Sequence, residues 1–178
     1  MITLDIKDAD VTAALDRLAR AITDMTPTMG EIEQYWLKST KQRMREGKSP
    51  DGSSFAPRSE ATLANYARKG LTPGAHPLWL SGDMRENQIH SASGSDYVEI
   101  GSSAIQAAVM QFGAEAGAFG ARMGKTKPSE KRKSSQAYFF SIPWGNIPAR
   151  PFLGMAEADK TAIEEIVGEW LTRVAGSP

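Results

Sequence analysis

Apolar side chains at Val11, Ala14, Leu15, Leu18, Ala19, Ile22 and Met25 recur at helical spacing and predict a first helix, with Asp10 as its N-cap. The Thr26-Pro27 pair ends it. Thr28 and Glu31 then form a T-x-x-E capping box that opens a second helix through Ile32, Tyr35 and Trp36 and over the basic stretch from Lys38 to Arg45, to a stop near Gly47. Residues 47–60 are turn-rich around Pro50-Asp51-Gly52, and a weaker helical patch covers 62–69. Leu78-Trp79-Leu80 is an apolar anchor ahead of Ser81-Gly82. Two strands are predicted over 87–92 and 96–101, joined at Ser93-Gly94-Ser95 as a β-hairpin. A short helix over 104–112 ends at Gly113, and a strand covers 137–142. Pro148 and Pro151 hold 147–152 extended. The last helix, over 154–174, places Ile163, Ile166, Val167, Trp170, Leu171 and Val174 on one face.

Helices, then strands, then a helix is an α+β order. The expected architecture is a set of N-terminal helices, a small antiparallel sheet with long loops, and a C-terminal helix packed on that sheet. At 178 residues the chain suits one domain. It divides into a helical part (1–46), an extended loop (47–77), a β-rich core (78–153) and the last helix (154–174). Within the core, residues 114–137 are rich in Gly, Ala, Lys, Arg and Ser and read as a mobile basic arm.

The overall charge is balanced at 21 bases against 21 acids, but the balance is uneven along the chain. Residues 1–36 carry three bases against seven acids, and 37–70 carry eight against three. Residues 117–137 of the arm add six bases against Glu130 alone, whereas the tail from Pro151 has two bases against five acids. Acidic ends around a basic middle suit pairing within a fold or between copies of it. Lys125, Lys127, Lys131, Arg132 and Lys133 on the arm are the candidate interaction residues, together with Arg85 and Arg150. They could attract an acidic protein surface, or DNA phosphates without reading sequence.

Catalytic patterns do not emerge. Cysteine is absent, which excludes disulfides and thiolate chemistry, and the expectation is a non-enzyme with no cofactor and no metal. His76 and His90 lack a partner at ligand spacing, and Glu164-Glu165 reads as a solvated helix face. A cell-wall hydrolase using acids such as Glu99 or Glu115 is the weakest reading; a sequence-independent DNA binder using 38–48 and 122–133 stands above it. No apolar run is long enough to cross a bilayer, and the first ten residues lack the apolar stretch of a secretory signal.

Four segments occur in order: Gly52-Ser-Ser-Phe55-Ala-Pro57, Leu80-Ser-Gly82-Asp-Met84-Arg85, Ala107-Ala108-Val-Met-Gln111-Phe112-Gly113, and Ile147-Pro148-Ala149-Arg150-Pro151-Phe152-Leu153-Gly154. Together the chain resembles the phage virion morphogenesis family, the tail completion proteins of Mu-like and related tailed phages, over roughly residues 28–174. The resemblance implies a structural neck subunit of the virion, assembled in the host cytoplasm. It further implies a ring at the head-proximal end of the tail, hexameric to match tail symmetry. The expected partners are other copies of the chain, the tail tube or terminator and the head connector, with possible contact to packaged DNA. The long segments 47–77 and 114–137 would then reach neighbouring subunits. Phe152 and Leu153 are expected in the core.

Overall fold

The computed structural model describes residues 8–125 and 137–176. Its elements run α1 (Ala9–Thr23), α2 (Thr26–Glu46), α3 (Glu60–Arg68), α4 (Asp83–Asn87), β1 (Ile89–Ser93), β2 (Val98–Ser102), α5 (Ala107–Phe112), β3 (Ala121–Lys125), β4 (Ala137–Ser141) and α6 (Glu157–Gly176). The mixed α+β class holds, and the long central helix α2 organises it. One side of α2 carries the antiparallel β1–β2 hairpin, paired from Ile89 opposite Ser102 to Ser93 opposite Val98. The other side carries α6, with α1 packed outside it.

The last helix therefore covers α1 and α2, not the sheet. The reason lies at its first turn. Asp159 is 1% exposed and accepts hydrogen bonds from Ser39 Oγ, from Arg43 Nη1 and from the backbone N–H of Ala156. An acid at the third helical position that satisfies the cap N–H is half of a capping box, and here the same carboxylate anchors the helix to α2.

Helix starts also fall differently from their sequence signals. Asp8, not Asp10, caps α1, its carboxylate accepting from the N–H groups of Asp10 and Val11. Thr28 lies inside α2 and is buried; Asp24 instead accepts from the N–H and hydroxyl of Thr26. Pro27 sits in the first turn of α2, where a missing N–H costs nothing. Gly47 closes α2 at φ 71°, a left-handed position, and the His76 ring packs where a Cβ would stand.

The core groups Met44 of α2, Phe55, Met84 of α4, Ile89 of β1, Ala104 and Phe152, with Leu37, Leu78, Ile100, Met110 and Leu153 packed around them. Phe152 is 0% exposed, as expected of a core residue. α4 has no counterpart in the sequence reading; at five residues its periodicity is too short to register. No described helix is long and apolar enough to cross a membrane.

Candidate functional site

The four sequence segments converge on Phe152. Gln111 at the end of α5 offers its amide to the backbone on both sides: Oε1 accepts from the N–H of Phe152 and of Leu153, each at 3.0 Å, and Nε2 donates to the Leu153 carbonyl at 2.9 Å. A side-chain amide here replaces the strand partner that this extended segment lacks. Arg150 reaches back to the first segment, donating from Nε to the Ala56 carbonyl at 2.6 Å and from Nη2 to the Pro57 carbonyl at 2.8 Å. Burial, and next the neighbouring Arg58 charge, press its pKa downward. Arg58 in turn donates to the carbonyls of Gly74, His76 and Trp79. Arg150 thus staples the segment 47–77, which carries α3, to the body, while Arg58 closes that segment on itself and onto Trp79. Arg85 is also buried, bonded to Glu86 at 2.8 Å and stacked 5.0 Å from the Trp79 ring centre. Arg85 and Arg150, both candidates for intermolecular contact, are engaged within their own chain.

What this scaffold holds out is a long hairpin. At its root Ala114 and Ile147 exchange backbone hydrogen bonds of 2.9 and 2.7 Å, and the Asn146 side chain accepts from the N–H of Ala116. Gly113, at φ 74°, makes the turn into the root; a Cβ there would come within 2.7 Å of the Ile147 carbonyl oxygen. Further bonds join Phe119 to Ile142 and Ile142 to Gly120, and β3 and β4 pair antiparallel from Ala121 opposite Ser141 to Lys125 opposite Ala137. Part of what reads in sequence as an unstructured arm is therefore a strand. Of the five basic arm candidates, Lys125 ends β3 and is exposed. Lys127, Lys131, Arg132 and Lys133 lie outside the described residues.

Among the described residues β3 and β4 pack extensively on no other element. One face holds Arg122, Gly124, Tyr138 and Phe140, and the Phe140 ring meets Tyr138 at 5.7 Å and Trp144 edge-on at 5.4 Å. The opposite face is bare: Met123 and Phe139, directly paired, are 63% and 75% exposed. Phe119 near the root is exposed as well. Met123 carries no sequence signal of its own because Gly and basic residues surround it. The Tyr138-Phe139-Phe140 run was the available signal, since aromatics on both alternating faces imply a strand covered on both sides.

A second bare surface lies on α1. Ala14, Leu18, Ala21 and Met25 are half-buried, whereas Val11, Leu15 and Ile22 are exposed.

The remaining chemistry candidates have ordinary surroundings. His90 shares a hydrogen bond with Ser103 at 2.9 Å, and Glu164 and Glu165 lie exposed on α6. Among the described residues no group of three His, Cys, Asp or Glu could hold a metal ion. A cleft of about 300 Å³ opens between Tyr66, Leu78, Leu80, Met84 and Met110.

The model of the phage virion morphogenesis family matches residues 6–172, nearly the whole chain. The chain belongs to that family. No curated protein and no solved structure matches it. Membership makes this a phage structural or morphogenesis protein, in keeping with a site built of core anchors and a projecting hairpin. In this family member the four segments that carry the resemblance do one physical job: they build the base from which the hairpin stands.

Proposed function

We propose that this protein is a tail-completion subunit. It forms a ring, of six copies by tail symmetry, at the head-proximal end of the tail in the virion neck, and it acts as a structural piece without catalysis. Its neighbours are the tail tube or terminator below and the head connector above. The observation that carries the reading is the hairpin built from 114–125 and 137–147, held at a bonded root and presenting apolar side chains that the described residues leave uncovered. A projecting β-arm of this kind suits contact between subunits or with an adjoining ring.

A sequence-independent DNA binder is the second reading. The α2 basic stretch supports it less than its composition suggests, because Arg43 is committed to Asp159 and Lys41 to the Glu86 carbonyl. The arm remains, facing either the lumen through which DNA passes or a protein neighbour.

Deleting the gene from its phage and imaging particles by negative stain tests the proposal. Filled heads beside loose tails are the expected result. Joined, intact virions that still fail to infect would overturn the completion role. Salt-sensitive DNA affinity of the purified chain would then favour the second reading.

A further inference from the structure

We propose that the bare face of the β3–β4 hairpin of one copy docks on the exposed apolar stripe of α1 of the next copy, so that a head-to-tail contact propagates around the ring. This names the surfaces of the ring proposed above and rests on that reading.

Three observations lead to it. First, a two-stranded hairpin without extensive packing is marginal in water, and among the described residues nothing covers Met123 and Phe139 at the centre of this one. Second, α1 keeps the complementary half. Val11, Leu15 and Ile22 lie on one side of the helix, 53%, 60% and 59% exposed, although the helix packs on α6 and the adjacent Ala14, Leu18, Ala21 and Met25 are half-buried. The stripe from Val11 to Ile22 runs about 16 Å at the helical rise, and the bare strand face from Ala121 to Lys125 runs about 14 Å, so their lengths match.

Third, the charges match in sign and place. Lys125 shares the bare face with Met123 and Phe139 and stands at its outer end. Asp8, exposed at the N-cap of α1 three residues before Val11, places its carboxylate at the N-terminal end of the stripe. Among the described residues Asp8 has no cationic partner. The contact joins two different patches, so it is heterologous, and such contacts close into rings when the rotation allows.

The absence of cysteine makes a clean test. Leu15→Cys and Phe139→Cys are prepared as single variants in the full chain, and both positions are exposed, so folding should persist; a thermal melt checks this. The two are mixed and treated with a short bis-maleimide, while light scattering reports the mass of the untreated wild-type protein. A covalent dimer from the mixture, absent from either variant alone, is expected. A Leu15→Cys homodimer would overturn the proposal in favour of α1 pairing with α1, and a Phe139→Cys homodimer in favour of hairpin pairing with hairpin. An oligomer that yields no crosslinked dimer overturns the docking but leaves the ring reading standing. A chain that stays monomeric at every concentration overturns both.

Discussion

Arg43 and Asp159, 116 residues apart in sequence, meet at 2.5 Å in a salt bridge that buries both side chains between α2 and α6. The arrangement closes on itself. Ser39 donates to the same carboxylate, Arg43 also donates to the Gly154 carbonyl, and Trp36 donates to that carbonyl as well. The turn that follows the Phe152 segment is thereby fixed before α6 begins, so the core and the helix layer share one anchor.

Removing one partner of a buried pair leaves an uncompensated charge, which costs roughly 3–5 kcal/mol. Asp159→Ala is expected to destabilise the protein by that order, because Arg43, Ser39 and the Ala156 N–H all lose their acceptor. Chemical denaturation measures it. A loss below about 1 kcal/mol would show that α6 docks without this bond.

Phe152→Ala should cost about 3–5 kcal/mol, the usual range for deleting a fully buried aromatic ring. The residue is sealed by Met44, Phe55 and Met84, which can only partly collapse into the space. An unchanged Tm would contradict its place at the centre of the core.

Glu33 joins α2 to β1 by accepting from the hydroxyls of Ser93 and Ser91, and those bonds, Ser93 first, lower its pKa from the ordinary 4.5. The folded state then holds this proton less tightly than the unfolded chain does. The stabilisation is complete above the ordinary value and is lost as pH falls through the lowered one. Glu33→Gln should therefore show a shallower fall in Tm between about pH 6 and about pH 3 than the wild type. Identical slopes would mean that the contact does not couple to protonation.

Changing Lys125, Lys127, Lys131, Arg132 and Lys133 to Ser removes five of the six bases of the arm without touching its root. The expected phenotype is a failure of head–tail joining or of DNA retention, read as separated heads and tails or as emptied particles. Wild-type yields of infectious virions from this variant would remove the arm charge from the mechanism.

The α+β class and most elements were legible from local signals. The helical period marked α1, α2 and α6, alternation and turn chemistry marked β1 and β2, and Gly47 and Gly113 marked helix ends. Phe152 could be placed in the core because two prolines and Gly154 frame an apolar pair that can neither be helical nor stay wet. Helix caps were misplaced by a few residues at Asp8 and Thr28 because several short polar side chains near each start could compete for the same free N–H groups.

By itself, then, the amino-acid sequence determined which segments are helix or strand, where the charge concentrates, and which family the chain resembles. Only the tertiary structure decided what those parts do to one another. It drew Arg150 inward, where one guanidinium group satisfies the Ala56 and Pro57 carbonyls of a distant loop, and Arg85 inward against Glu86 and the Trp79 ring. It sent α6 to α2 through Asp159, a polar residue that no hydrophobic period reports. It also turned part of a Gly- and Lys-rich arm into a paired strand, because the partner strand β4 supplies hydrogen bonds that local propensity cannot. The exposed stripe on α1 and the bare Met123–Phe139 pair follow from the same cause: periodicity identifies an apolar face, but only packing reveals whether the chain itself covers it.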